Sequence, residues 1–284
     1  MEENKIYCGE ASDILKAFPK ESIDCIITSP PYNELRDYKG YSFNFENIAS
    51  ELVRILKPGG VIVWVVGDQV QNGSETGTSF RQALYFKDDL NMNIHDTMIY
   101  LKNSSSFPAR KEGNRYSQVF EYMFVFSKGK PKTANLLCDK PNAWRGWVGF
   151  GKVKKRIKSG ELIEINKKPT PEFSPRTNVW KYCTGKTYSS SDTIAFEHPA
   201  IFPEGLAGDN ILTWTDENDI ILDPFSGSGT TCKMAKLLNR KYIGIDISQE
   251  YVDIAIKRLE NYNTIEYKMD FDYFSTGNPY IEPK

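Results

Sequence analysis

Short apolar runs alternate with amphipathic stretches along most of this chain. The runs at 23–28, 61–66, 219–222 and 242–246 are nearly continuous in apolar residues, which is typical of strands buried on both faces of a parallel sheet. Residues 45–56 instead space Ile48, Leu52, Ile55 and Leu56 along one helical face and end at Pro-Gly-Gly. The remaining predicted elements are strands at 4–8, 97–102 and 119–127, helices at 11–18, 79–87 and 232–238, a last helix capped by Ser248, and a flexible loop at 73–78.

This alternation predicts an α/β fold, a doubly wound and mostly parallel sheet. The strands at 97–102 and 119–127 follow each other closely and are expected to pair antiparallel at one edge of the sheet. At 284 residues and 40% hydrophobic content, the chain suits one large domain or a domain with an insertion.

A stiff corner follows the second predicted strand, where the sequence reads Ser29-Pro30-Pro31-Tyr32. Each proline fixes its own φ and holds the preceding residue extended, so the corner is rigid before any ligand binds. It would present a hydroxyl, a carbonyl and a flat ring together, which suits the amino group and face of a nucleobase. An ordinary Pro-Pro turn is the competing interpretation.

A glycine-rich turn between a predicted strand and helix forms the second motif, Asp-Pro-Phe-Ser-Gly-Ser-Gly-Thr-Thr at 223–231. Such a turn lets backbone N–H groups approach a ligand at the start of a helix. It has neither the dinucleotide fingerprint nor the Lys-Ser/Thr of a phosphate loop. The next predicted strand ends in Asp246, placed to accept both hydroxyls of a ribose. Together they predict a nucleoside-binding half-site.

In this order, the two motifs resemble the S-adenosylmethionine-dependent DNA amino-methyltransferases of the permuted group called beta. Segments at 56–60, 121–128 and 198–203 also resemble family segments, and only about 130–190 lies outside the likeness. The resemblance implies a Rossmann-like methyltransferase domain at 1–128 and 192–284, with a target-recognition insertion at 129–191. It implies S-adenosylmethionine as cofactor and double-stranded DNA as substrate.

The resemblance also assigns roles to residues of this chain. The catalytic candidates are Ser29, Pro30, Pro31 and Tyr32, and the cofactor-binding candidates are Glu10, Ala11, Phe225, Gly227, Gly229, Thr230, Thr231 and Asp246. Glu10 stands where the family usually has Asp, which weakens its assignment to the adenine. His198 is an open case, either near the cofactor or packed in a loop.

Charge is segregated along the chain, although its net value is only −1. Between Lys128 and Lys186 there are fifteen lysines and arginines against four acidic residues, so the remainder is acidic. Arg145, Lys154, Lys155 and Arg156 are the candidate DNA-binding residues, since cations interleaved with tryptophans suit a phosphate backbone. A solvated charged loop is the alternative.

Several classes are disfavoured. Five scattered cysteines without a Cys-x-x-Cys pair, with two histidines, argue against a metal site or disulfides and fit the cytoplasm. No apolar run suits a membrane span. A monomer or homodimer is expected, and a cognate restriction endonuclease is an option rather than a requirement.

Serine before Pro-Pro-Tyr resembles mostly the cytosine-N4 enzymes, so cytosine N4 is the favoured target. Adenine N6 is the first alternative, because the exceptions are numerous. A catalytically silent DNA-binding regulator, and an RNA or protein-amide methyltransferase, are the others. The protein-amide enzymes carry Asn at the position of Ser29, which speaks against that reading.

Overall fold

The computed structural model describes residues 1–31, 43–103, 115–149, 153–165, 168–185, 189–190, 192–198 and 200–260. Its strands are β1 (Lys5–Cys8), β2 (Ile23–Thr28), β3 (Leu56–Val66), β4 (Val70–Gln71), β5 (Ser74–Glu75), β6 (Asn93–Lys102), β7 (Phe120–Ser127), β8 (Lys140–Pro141), β9 (Val153–Arg156), β10 (Leu162–Ile165), β11 (Phe173–Ser174), β12 (Val179–Tyr182), β13 (Ile220–Asp223) and β14 (Lys241–Asp246). Its α-helices are α1 (Ala11–Lys16), α2 (Phe45–Ile55), α3 (Thr78–Leu84), α4 (Glu204–Trp214), α5 (Thr230–Leu237) and α6 (Gln249–Glu260), with a π-helical turn at Tyr85–Asp89 and a 3₁₀ turn at Thr193–Glu197.

Within the described residues, eight strands form one sheet in the order β1-β14-β13-β2-β3-β7-β6-β12. The first five are parallel, β7 runs antiparallel to both β3 and β6, and β12 pairs parallel with β6. The predicted α/β class with a mostly parallel, doubly wound sheet is therefore confirmed. The carboxyl ends of the parallel strands share one edge, and that edge carries both sequence motifs.

Helices cover both faces of the sheet. On one face, α1, α2 and α3 close a core that contains Leu15, Leu52, Trp64 and Phe86, each with no exposed surface. On the other face, α4, α5 and α6 pack against one another and against strands β1, β2, β13 and β14. The buried indole of Trp64 donates to Gln82 Oε1 at 2.9 Å, so its polar atom is satisfied inside the core.

Two local expectations need correction. The antiparallel pair of β6 and β7 exists, but it is not at the sheet edge, because β12 adds beyond β6 with Trp180 buried. The predicted flexible loop at 73–78 begins as a hairpin of β4 and β5. Its turn residues Asn72 and Gly73 both have positive φ, which is the usual turn of a two-residue hairpin.

The described chain divides into two compact units. One contains the large sheet and comprises the described residues up to 135 and from 178 onward. The other comprises the described residues between 136 and 177. Strand β12 (Val179–Tyr182) falls within the insertion predicted at 129–191 and pairs with β6 in the main sheet. The predicted domain boundaries stay a prediction.

Candidate functional site

The two motifs meet where β2 and β13 end side by side. These strands pair in parallel, with Ile221 opposite Cys25 and Leu222 opposite Ile26. At their ends, Thr28 Oγ1 donates a 2.7 Å hydrogen bond to Asp223 Oδ1, and both residues are buried. Residues nearly two hundred positions apart in sequence therefore form one continuous edge.

The predicted catalytic corner begins directly after this bond. Ser29 follows Thr28 and is half-buried, Pro30 is buried, and Pro31 is half-buried. Tyr32 lies outside the described residues, so the position of its ring is not assigned. The structure thus brings the hydroxyl-bearing start of the corner next to Asp223 and the glycine turn.

The glycine turn depends on two positive φ angles, +48° at Gly227 and +78° at Gly229. A Cβ on Gly229 would lie 2.6 Å from the Cβ of Ala255 on α6, closer than two non-bonded carbon atoms can approach. The Gly229 amide donates to the Ser226 carbonyl at 2.7 Å and closes the turn just before α5. Both backbone conformation and space therefore require glycine at position 229.

Asp246 is joined to this turn rather than merely near it. Its Oδ2 accepts from the Gly227 amide and its Oδ1 from the Ser248 amide, each at 2.9 Å. Burial raises the pKa of the Asp246 carboxyl, and these two hydrogen bonds oppose the increase. A carboxylate oxygen can accept a second hydrogen bond. Asp246 can therefore bind a diol while it holds the glycine turn.

The end of β1 completes this side of the edge. The Gly9 amide donates to the Asp246 carbonyl at 2.9 Å, which places Glu10 beside the predicted ribose site. Glu10 Oε1 accepts from the Ser12 amide at 3.2 Å and caps α1, while Ala11 lies in the core. Any ligand contact of Ala11 must accordingly come mainly from its backbone.

The two threonines of the glycine motif are buried and used within the protein. Thr231 Oγ1 lies 3.5 Å from the Ile27 carbonyl and also hydrogen-bonds Asp223. Thr230 Oγ1 accepts from the guanidinium of Arg258 at 3.1 Å. Both hydroxyls therefore make hydrogen bonds inside the protein that stabilise the turn. Their contact with a cofactor stays a prediction.

Phe225 and His198 flank the turn. The Phe225 ring packs edge-on against Phe43, with centroids 5.4 Å apart. His198 packs edge-on against Tyr251 with centroids 4.3 Å apart, and its Nε2 lies 2.9 Å from where a Cβ of Gly227 would be. The structure thus places His198 against the glycine turn, and its contact with a cofactor stays a prediction.

Asp223 is the first residue of the glycine motif, but the sequence did not reveal that it accepts a hydrogen bond from Thr28 at the end of β2. Burial raises the pKa of Asp223 to about 6, opposed by hydrogen bonds from Thr28, Thr231 and the Phe225 amide. Arg258 was missed as well. The sequence did contain a signal: Arg258 lies three residues after Ala255 and next to Leu259, on the apolar face of the last helix. A cation on such a face needs a buried partner.

The second unit presents cations and aromatic rings to solvent. Strands β9 and β10 form an antiparallel hairpin in which Lys154 faces Glu164, Lys155 faces Ile163 and Arg156 faces Leu162. Because side chains alternate along a strand, Lys154 and Arg156 share one face and Lys155 lies on the other.

A separate loop of this unit carries the remaining candidate. Arg145 is exposed and lies 3.6 Å from Glu172. Trp144 and Trp147 flank it and are 71% and 47% exposed, with their ring centroids 6.0 Å apart. The predicted DNA-binding residues are all exposed, but they occupy two different segments of the unit.

In the described part of the chain, no group of three His, Cys, Asp or Glu side chains is arranged to bind a metal ion. None of the described helices has the length and apolarity needed to cross a bilayer.

Comparison with known proteins agrees with the geometry. The model of the N6/N4 methyltransferase family, described as DNA methylase, matches residues 23–257. The orphan methyltransferase M.BamHII of Bacillus amyloliquefaciens is 57% identical over 88% of this chain and 93% of its own length. The type II methyltransferase M.BglII of Bacillus subtilis is 31% identical over 90% of this chain and 69% of its own length.

Solved structures share the fold. The cytosine-N4-specific PvuII DNA methyltransferase superposes with a TM-score of 0.66 at 20% identity, covering 93% of this chain and 89% of that one. The M1.HpyAVI–SAM complex gives a TM-score of 0.57 at 25% identity, covering 90% and 98%. The family match over most of the sequence and the 57% identity with M.BamHII lead to one conclusion: this chain belongs to the DNA methylase family of N6/N4 amino-methyltransferases.

Proposed function

We propose that this protein transfers a methyl group from S-adenosylmethionine to the exocyclic amine of a base in double-stranded DNA, with cytosine N4 favoured over adenine N6. The observation that carries the proposal is the hydrogen bond between Thr28 and Asp223, which joins the Ser-Pro-Pro corner to the glycine turn at one sheet edge. Methyl donor and acceptor would have to meet at such an edge.

The cofactor is S-adenosylmethionine, and the described residues fit it. Asp246 offers a carboxylate for the ribose hydroxyls, the turn at Gly227 and Gly229 exposes backbone at the start of α5, and Glu10 lies next to Asp246. The cofactor supplies an electrophilic methyl group on a cationic sulfur, so the protein need not create a strong nucleophile.

The task left to the chain is to orient the amine. A base amino group is a poor nucleophile because its lone pair is delocalised into the ring. Hydrogen bonds from its two N–H groups to Ser29 Oγ and the Pro30 carbonyl favour a more pyramidal nitrogen with an available lone pair. Fixing the reacting groups in this way can contribute about 7–11 kcal/mol to lowering the barrier.

Reaching the amine requires the base to leave the duplex, which costs a few kcal/mol. A ring at Tyr32 would stack on the extruded base. The cations of the second unit would bind the phosphate backbone and hold the duplex during this step. The name of the relative M.BamHII, an orphan methyltransferase, favours the reading in which no cognate nuclease is required.

The preference for cytosine rests on Ser29, which the resemblance associates mostly with cytosine-N4 enzymes. Incubation with radiolabelled S-adenosylmethionine and duplex DNA, followed by digestion to nucleosides, tests it directly. Labelled N4-methylcytosine is expected. Labelled N6-methyladenine would instead identify adenine N6 as the target. Absence of label in the DNA, with intact cofactor binding, would favour the catalytically silent regulator.

Ser29→Ala tests the catalytic role of the corner. Removing a preorganised hydrogen-bonding group from a reacting centre costs about 10²–10³-fold in turnover, whereas cofactor affinity should stay nearly unchanged. Ser50→Ala is the matched control, because it removes a serine hydroxyl that donates to the Glu46 carbonyl within α2. Turnover of the Ser29 variant within threefold of wild type would contradict the mechanism.

A further inference from the structure

A fully buried arginine lies directly behind the glycine turn. The side chain of Arg258 on α6 has no exposed surface. Its Nη1 donates to the Ser228 carbonyl at 2.6 Å, to Ser228 Oγ at 3.1 Å and to Thr230 Oγ1 at 3.1 Å. One nitrogen of the guanidinium therefore holds two residues of the turn.

The other guanidinium nitrogens bind a second part of the chain. Nε donates to Asp192 Oδ2 at 3.1 Å, and Nη2 donates to Glu204 Oε1 at 2.8 Å and to Ser190 Oγ at 3.2 Å. Lys233 of α5 contacts the same two carboxylates at 2.7 and 2.8 Å. Two cations and two carboxylates thus form a charge-balanced cluster, which burial of charge requires.

This cluster and Asp246 hold neighbouring residues of the turn. The Gly227 amide is fixed by Asp246, and the next residue, Ser228, is fixed by Arg258. Gly227 and Gly229 both have left-handed backbone, and as glycines they have no side chains that could hold this conformation. The turn therefore depends on hydrogen bonds from other residues.

We propose that Arg258 is a positioning residue for the cofactor: its guanidinium sets the backbone of the glycine turn in the conformation that binds S-adenosylmethionine. The inference rests on the proposed function only in taking S-adenosylmethionine as the ligand of this turn. A planar fork with five donors is what the contact set needs, and a lysine ammonium cannot reproduce it.

Arg258→Lys keeps the charge of the cluster and removes the fork. The full-length variant is expected to bind S-adenosylhomocysteine at least about tenfold more weakly by isothermal titration calorimetry. At saturating cofactor, kcat should stay within about threefold of wild type. A purely structural role would instead lower Tm and reduce activity in proportion to the folded fraction, without a change in Kd for the folded protein.

A pair of serine variants keeps the test decisive if the lysine variant does not fold. Ser228→Ala and Ser190→Ala each delete a buried hydroxyl that accepts from Arg258, at 3.1 and 3.2 Å, but only Ser228 belongs to the turn. Ser190 Oγ also donates to Glu204 Oε1 at 2.6 Å and accepts from the Asp192 amide at 3.0 Å, so Ser190→Ala is the more severe change to the cluster. We expect Ser228→Ala to weaken S-adenosylhomocysteine binding about two- to fivefold and Ser190→Ala to leave it unchanged. In combination with Arg258→Lys, the Ser228 effect should largely disappear.

Two results would overturn the role of Arg258. One is an unchanged Kd in a folded Arg258→Lys variant, and the other is an equal loss of affinity in the two serine variants. If the wild-type protein itself failed to bind S-adenosylhomocysteine, the proposed function would fail first and the role of Arg258 with it. Wild-type binding with unaffected variants would refute the role of Arg258 alone.

Discussion

Replacing Asp223 by asparagine should make the protein more stable at neutral pH, although it changes a residue at the centre of the site. Asp223 is buried and its Oδ1 accepts from Thr28 Oγ1 at 2.7 Å and from the Phe225 amide at 3.1 Å. An asparagine Oδ1 can accept both bonds, and its amide can donate to the hydroxyl of Thr231. The substitution therefore removes a buried negative charge and retains the hydrogen bonds.

The magnitude follows from the pKa of this carboxyl. Burial raises it from an ordinary 3.8 to about 6. Each tenfold change in proton affinity is worth about 1.4 kcal/mol, so ionising Asp223 in the folded state costs about 3 kcal/mol of stability at pH 8. The folded-state pKa of Asp223 is higher than its unfolded-state pKa. The wild-type protein therefore has its full stability from this group below about pH 4 and loses about 3 kcal/mol of it as the pH rises through about 6.

Urea unfolding of wild type and Asp223→Asn across pH 4.5–8 measures the effect. The stability difference in favour of the variant should grow by about 2 kcal/mol over this range, the remainder of the effect falling at lower pH. Other titrating groups are common to both proteins and cancel. Asp13→Asn, which removes an exposed carboxylate on α1, is the control for the Asp-to-Asn change itself. A pH-independent difference for Asp223→Asn would refute the raised pKa.

Three further predictions concern the turn, the ribose site and the basic hairpin. Gly229→Ala should destabilise the fold strongly or abolish it. Gly129→Ala is the control: its φ of +79° is nearly identical but the space around it is open, so it should lower the free energy of unfolding by only about 1–2 kcal/mol. Equal shifts in Tm for the two variants would contradict the predicted clash. Asp246→Asn should weaken S-adenosylhomocysteine binding at least about tenfold, measured by calorimetry, and an unchanged Kd would remove Asp246 from the ribose site. Alanine at residues 154–156 should flatten the salt dependence of DNA binding by about 0.9 in slope for each phosphate that is no longer neutralised, while exposed Lys20→Ala should not; an unchanged slope for the triple variant would contradict DNA binding by the hairpin.

Local pattern determined much of this fold because the main strands are continuous apolar runs. Such runs are typical of strands buried on both faces, and the segments at 23–28, 61–66 and 242–246 do form interior strands of the main sheet. Strand β12 gave no such signal. Its four residues Val-Trp-Lys-Tyr lie in a basic stretch, and only pairing with β6 makes them a strand.

The sequence could predict that the two motifs meet, but not which contacts join them. Parallel strands place their carboxyl ends on one edge, so two strand-end motifs could be expected to meet there. Which strands are neighbours is a matter of topology, and the sequence does not show that β2 lies against β13. The Thr28–Asp223 bond depends on that adjacency.

The apolar runs and the motifs after them were enough to predict the candidate site residues. Ser29, the turn glycines and Asp246 stand at strand ends, where side chains and backbone can reach a ligand. How these residues are held became visible only in the folded protein. Asp246 and Arg258 fix two adjacent residues of the turn, and Lys154 and Lys155 face opposite ways on their hairpin. The contacts that hold the turn join segments distant along the chain, so they depend on burial and geometry that folding creates.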